Sequence, residues 1–173
     1  MARYLTTTLP YVNADPHIGF ALELVQADAL ARAWRAKGEE VFFNTGTDEH
    51  GQKIFTAAEK TGQDVQAYVD HYADQVRKLD TALGLGEHAF IRTTDPKHVR
   101  AAEEMWRRCE AAGDLYKKSY EGLYCVGHEA FITEKDLVNG VCPDHGVAPE
   151  RLKEENYFFR FSNYQDFLLE YLA

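Results

Sequence analysis

A run of threonines and large apolar residues that stops at a proline and then reopens as a helix constrains this fold most. Tyr4-Leu5-Thr6-Thr7-Thr8-Leu9 is dense in β-branched and aromatic residues and predicts a strand over 3–9, ended by Pro10, which cannot donate to a ladder. After a short loop, helical spacing begins at Pro16-His17. Ile18, Leu22, Val25, Ala29 and Ala33 form a stripe that predicts a helix from 17 to about 37, with that stripe toward the core and Gly38 as its stop. A second apolar run predicts a strand over 41–45. Strand, helix and strand in so short a stretch make a βαβ unit with parallel strands. The helix N-terminus, with its unpaired N–H groups and positive dipole end, then lies beside the carboxyl end of the first strand. That position suits a polyphosphate. Gly19, in the first turn, lets a flat ligand lie against the backbone.

Further along, helices are predicted over 52–60 and 64–83, the second ended by Gly84 and Gly86, and a short buried strand over 90–93. Asp95-Pro96 opens another helix to about 112, where Gly113 stops it. Beyond Gly113 the texture changes to short strands at 115–118, 122–124 and 157–161 and a final helix from about 164. The expected boundary therefore falls near Gly113, giving domains 1–113 and 114–173. Tyr157, Phe159 and Phe161 alternate with Phe158 and Arg160 and are expected to pack into a core or a domain interface, while Glu154-Glu155 is expected to be solvent surface. So few strands make a small sheet to stand alone, and the last helix has no stop chemistry, so more protein is expected to follow.

Among 173 residues, 45% are hydrophobic, enough for a real core. The net charge of −9 argues against a surface that coats nucleic acid, since phosphate binding needs clustered Lys and Arg. No long apolar run and no leader are seen, so the expectation is a cytoplasmic protein without a membrane or DNA partner. Three cysteines, two of them spaced with histidines, point to a metal rather than to disulfides.

That metal signal is Cys125-Val126-Gly127-His128, a gap of 13 residues, then Cys142-Pro143-Asp144-His145. Two thiolates and two neutral imidazoles close a tetrahedron around Zn²⁺ and cancel its charge. Such a shell leaves no position for chemistry and marks a structural site. Thr133-Glu134-Lys135-Asp136, between the pairs, reads as a capping box on one helical turn. Cys109 has no partner at ligand spacing.

His17-Ile18-Gly19-Phe20 resembles the His-Ile-Gly-His signature of class I aminoacyl-tRNA synthetases. Together with Thr45-Gly46-Thr47-Asp48-Glu49-His50-Gly51, Ile91-Arg92-Thr93-Thr94, Glu121-Gly122-Leu123-Tyr124-Cys125, Asn156-Tyr157-Phe158-Phe159-Arg160 and the single knuckle, the chain resembles the N-terminal part of the methionyl-tRNA synthetase family. The resemblance implies an α/β fold: the first half of a Rossmann-like nucleotide-binding domain, followed by a connective zinc-knuckle insertion. It implies ATP-dependent activation of methionine to methionyl-adenylate, ATP entering as its Mg²⁺ complex, and transfer to tRNA(Met). His17 and Gly19 are then ATP-binding, with His17 catalytic through its contact with the phosphates. Phe20 occupies the ATP-binding position where the family carries a second histidine, and a phenyl ring cannot donate to phosphate. Asp48, just past the second strand, is expected to hold the substrate ammonium, and Leu9 and Tyr11 to wall the methionine pocket. Asn13 and His50 receive no sharp role. The family commonly has Cys where this chain has His128.

The second half of that nucleotide fold, its lysine-rich loop and its anticodon-binding helices lie outside these residues. The resemblance therefore implies half of an active site, and the 173 residues alone are expected not to charge tRNA. Two other readings stay open: a related adenylate-forming ligase, such as a cysteine-activating one, and a non-catalytic module that binds tRNA or protein.

Overall fold

The structure, a computed structural model, describes residues 2–173. Its packing divides into two units, one up to Ala102 and one from Glu103 to Ala173.

In the first unit, β1 (Arg3–Thr6), β2 (Val41–Thr47) and β3 (Ala89–Arg92) form a parallel sheet in the order β1-β2-β3. Arg3 lies opposite Val41, and Asn44 opposite Ala89. The crossover between β1 and β2 is α1 (Ile18–Ala36), so the βαβ unit is present with parallel strands. Gly38 follows the cap residue Lys37 with φ +79°, a left-handed turn in which glycine carries no steric cost. Between β2 and β3 come α2 (Gln52–Thr61) and α3 (Val65–Ala82).

The face that α1 buries differs from the expected one. Phe20, Leu24, Ala27 and Ala31 are buried, whereas Ile18, Leu22 and Val25 are 87%, 57% and 43% exposed. Both sets have helical spacing, and they are two residues out of phase, roughly 200° around the helix. Tertiary partners decide between them. Phe20 and Leu24 meet Val76 of α3, while Ala27 and Ala31 let the helix approach Phe43 of β2 closely. Val12, Ile54, Tyr68 and Val69 fill the neighbouring cluster between loop, α2 and α3. Asp28, also buried on α1, pairs with Arg32 at 2.6 Å and accepts the Gly86 N–H at 2.8 Å.

The chain passes to the second unit along α4 (Pro96–Ala111). There β4 (Leu115–Cys125) is flanked by β5 (Ala130–Ile132) and β6 (Glu150–Phe159) in an antiparallel sheet, order β5-β4-β6. Two expected short strands are thus one strand of 11 residues, and Glu154-Glu155 is part of its long partner. Tyr157, Phe159 and Phe161 are not core residues of this unit: they remain 48%, 42% and 67% exposed. Tyr157 meets Trp106 edge to face at 4.9 Å between ring centres, and Phe159 stacks on Tyr164. The Thr133–Asp136 capping box is present on a single 3₁₀ turn, and α5 (Gln165–Leu172) closes the chain. Among the described residues no helix is long and apolar enough to cross a membrane.

Candidate functional site

The loop from β1 to α1 is pinned along its length. Thr8 donates its N–H to Glu23 at 2.7 Å and its hydroxyl to the same carboxylate. The Asp48 N–H donates to the Pro10 carbonyl at 3.0 Å, and the Val12 N–H to the Asp48 carbonyl at 3.3 Å, so Tyr11 and Asp48 form a parallel bridge beyond the sheet proper. The Tyr68 hydroxyl donates to the Asn13 carbonyl at 3.1 Å.

His17 sits in extended backbone and caps α1, its Nδ1 accepting the Phe20 N–H at 3.2 Å. The helix therefore begins at Ile18, one residue past the expected start. The ring is exposed and fixed by its own helix, with Nε2 as the nitrogen the cap does not use. A Cβ on Gly19 would stand 3.0 Å from His17 Nδ1, so the missing side chain also makes room for this imidazole.

Tyr11, Asn13, Asp15, His17, Phe20 and Val76 line a crevice of about 240 Å³. Tyr11 and His17 thus share one crevice; Asp48 does not line it and is joined to it only by the backbone bridge to Tyr11. Leu9 is half-buried and does not line this crevice. Gly19 opens instead on the outward face of α1, in an apolar groove of about 320 Å³ with Leu22, Val25 and Leu83. Phe20, expected beside ATP, has its ring in the core at 3% exposure, where it closes the crevice floor. His50 is exposed, with Nε2 3.3 Å from the Thr93 carbonyl oxygen.

Sequence reasoning gave no role to Glu49, Arg92 and Thr93. The Glu49 side chain is fully hidden and accepts from Thr47 Oγ1 at 2.6 Å, from Arg92 Nε at 2.6 Å and Nη2 at 2.9 Å, and from Thr94 Oγ1. Arg92 also pairs with Asp70 of α3 at 2.5 Å. Its hydrogen bonds to the Glu49 carboxylate, and then to Asp70, hold the guanidinium firmly protonated against the opposing effect of burial, and Arg92 in turn pulls the Asp70 carboxyl below its usual range. The available signal was period-two alternation: Thr45, Thr47 and Glu49 share the strand face that begins with buried Phe43.

In the second unit, Cys125, His128, Cys142 and His145 converge, their ligand atoms all within 4.8 Å of one another. Both imidazoles present Nδ1 to sulfur: His128 lies 3.6 Å from Cys142 Sγ, and His145 lies 3.5 Å from Cys142 Sγ and 3.7 Å from Cys125 Sγ. His128 Nε2 faces Asp144 Oδ2 at 3.1 Å, the kind of carboxylate support that orients a ligating imidazole. The His128 backbone amide, aimed at the Cys125 sulfur, lowers that thiol's pKa against the opposing effect of burial. A Cβ on Gly127 would fall 2.3 Å from the His145 ring, so glycine is what admits the fourth ligand. This donor set and its cradle fit a tetrahedral Zn²⁺.

A parallel sheet with a helix N-terminus and a conformationally fixed imidazole at its carboxyl edge defines an α/β protein of the kind that binds ligands at that edge. The family model for class I tRNA synthetases (M) matches residues 3–151, and the chain belongs to that family. It is 46% identical over 169 residues to a methionine–tRNA ligase of Clostridium perfringens, covering 98% of this chain and 26% of that protein. It is 42% identical to the Thermotoga maritima ligase, with 99% and 28% covered. The Mycobacterium tuberculosis methionyl-tRNA synthetase, solved with methionyl-adenylate, superposes with a TM-score of 0.90 at 41% identity, over 98% of this chain and 34% of that one. A leucyl-tRNA synthetase complex from Agrobacterium radiobacter, at 22% identity and TM-score 0.77, shares the fold. The chain spans about a quarter of the length of the curated relatives it matches.

Proposed function

We propose that this chain carries the methionine- and ATP-binding half of a methionine–tRNA ligase that charges tRNA(Met) in the cytoplasm. The observation that carries the reading is that Tyr11 and His17 share a crevice at the carboxyl edge of the parallel sheet, with Asp48 bridged to Tyr11, in a chain so similar to methionine–tRNA ligases.

In this reading the methionine carboxylate attacks the α-phosphorus of Mg²⁺-bound ATP in line, and pyrophosphate leaves. The resulting adenylate then passes its acyl group to the tRNA 3′ end, releasing AMP. Little covalent chemistry falls to side chains, so catalysis is positioning and charge stabilisation. His17 offers Nε2–H to the phosphates, its ring held by the cap through Nδ1. Adenine lies along the Gly19 face, at the mouth of the apolar groove. Asp48 holds the substrate ammonium and Tyr11 walls the thioether, while Leu9 stays outside the crevice. Buried Phe20 supplies shape and no hydrogen bond. One structural Zn²⁺ is held by Cys125, His128, Cys142 and His145 in a connective segment that we delimit as 114–173, after a catalytic half of 1–113.

Amino-acid-dependent ATP–pyrophosphate exchange by the full-length protein tests the reading, and methionine is the amino acid expected to support it. Asp48→Ala should raise KM for methionine roughly ten- to a hundredfold, the worth of one charge-assisted hydrogen bond. His17→Ala should instead slow exchange about a hundredfold at saturating methionine. Matching defects confined to ATP affinity in both variants would overturn the division of labour. Absence of exchange with every amino acid would favour a tRNA- or protein-binding module.

A further inference from the structure

Residue 48 is held from three directions. On one side its N–H and carbonyl are bound by the strand extension at Pro10 and Val12, at 3.0 and 3.3 Å. On the other side the next peptide N–H, that of Glu49, donates to Thr93 Oγ1 at 2.8 Å. The third restraint is side-chain alternation. In extended chain, successive side chains point to opposite faces, so the orientation of Glu49 dictates that of Asp48.

Glu49 is fixed to an unusual degree. Its hidden carboxylate takes three hydroxyl and guanidinium donors at 2.6 to 2.9 Å and a fourth from Thr94. Arg92 makes the pair bidentate and carries it onward to Asp70 on α3. A carboxylate so enclosed cannot turn outward without abandoning every one of these partners. No step of the proposed chemistry uses Glu49 or Arg92 directly, because both are taken up by each other and by Thr47, Thr94 and Asp70.

We propose that Glu49 and Arg92 are positioning residues: they fix the orientation of Asp48 and thereby set the affinity of the site for the substrate's α-ammonium group. This rests on the reading of Asp48 as the ammonium ligand. A rigid anion meets a cation without losing rotamer freedom on binding, and that is the advantage the enclosed pair confers.

The test is a double-mutant cycle in the full-length protein, read as the dissociation constant for methionine and as KM for ATP. Glu49→Gln in the wild-type background should weaken methionine roughly tenfold, within the coupling that neighbouring residues show. The same change in an Asp48→Asn background should cost less than about twofold, because the group being positioned is gone. KM for ATP should stay within about twofold throughout, and Arg92→Lys should recover part of what Arg92→Ala loses. A merely structural role predicts equal losses in both backgrounds and for both substrates, and that result overturns the proposal while leaving Asp48 as ammonium ligand. If Asp48→Asn by itself leaves methionine affinity intact, the ammonium reading fails and the proposal falls with it. Should Glu49→Gln not fold, Thr93→Val takes its place in the cycle, since it removes only the acceptor of the Glu49 N–H. A loss confined to the Asp48 background then supports positioning, and equal losses in both backgrounds overturn it.

Discussion

Asp70 ties the helix α3 to the strand end through Arg92, and its chemistry gives that link a pH signature. The guanidinium lowers the Asp70 pKa in the folded state, with a further contribution from the Gln66 amide. An acid whose folded pKa lies below its unfolded value, about 3.9, stabilises the fold at pH above that unfolded value. The contribution then disappears as pH falls through the lower folded pKa. Wild type should therefore melt above Asp70→Asn at neutral pH, and the two Tm curves should converge as pH falls below about 4. Thermal melts followed by circular dichroism across that range check it, and a constant Tm gap down to pH 2 would contradict the assignment. The place of His17 and Gly19 at a strand-to-helix turn was legible in the sequence, because Pro10 ends the strand and helical spacing begins at Pro16-His17. The cap made by His17 Nδ1 was not, since spacing reports where a ring lies along the chain and not which nitrogen its backbone occupies.

For the elements, the sequence carried the βαβ unit, the parallel pairing and the ends of α2, α3 and α4 to within a residue or two, because strong punctuation surrounds them: Pro10, Gly38, Gly62, Gly84 and Asp95-Pro96. It misread which face of α1 turns inward, because both faces carry large apolar residues at the same spacing, Ile18, Leu22 and Val25 on one and Phe20 and Leu24 on the other, and only contacts with α3 and β2 separate them. Two substitutions separate these faces. Phe20→Ala should cost about 3–5 kcal/mol in a chemical denaturation, as for any large aromatic removed from a packed cluster. Leu22→Ser, on the exposed face, should stay within about 0.5 kcal/mol. Comparable losses at both positions would mean that the two faces are equally covered. In the second unit the expected strand at 157–161 caught only the end of β6, and its first half was missed for a different reason. Glu150, Lys153, Glu154 and Glu155 give its first half the composition of a loop, and only ten-residue pairing with β4 makes it a strand. Cross-strand contacts such as Lys117 with Glu155 at 3.3 Å are invisible to local pattern.

Across the whole molecule the two units keep their chains folded by different means. The first holds three clusters of buried side chains, built on Val12, Ile54 and Val69, on Phe20, Leu24 and Val76, and on Ala27, Ala31 and Phe43. In the second, among the described residues, the buried apolar side chains are Cys125 and Cys142, at 0% and 1% exposure, and these are themselves the proposed zinc ligands. A sheet with so little apolar burial leaves the conformational entropy of its residues largely unopposed, and a metal that binds only the folded arrangement supplies what the core does not. Stripping zinc with a strong chelator should therefore abolish amide-exchange protection along β4 and β6 while β2 keeps its protection. Protein purified without chelator should hold one zinc per chain by elemental analysis. Gly127→Ala provides the same test without a chelator: its Cβ collides with the His145 ring, so zinc content should fall well below one and β4 should lose protection as in the stripped protein. Retention of β4 and β6 protection after complete metal removal would show that hydrogen bonding and edge packing suffice, and that the thiolates are passengers in a fold that stands without them.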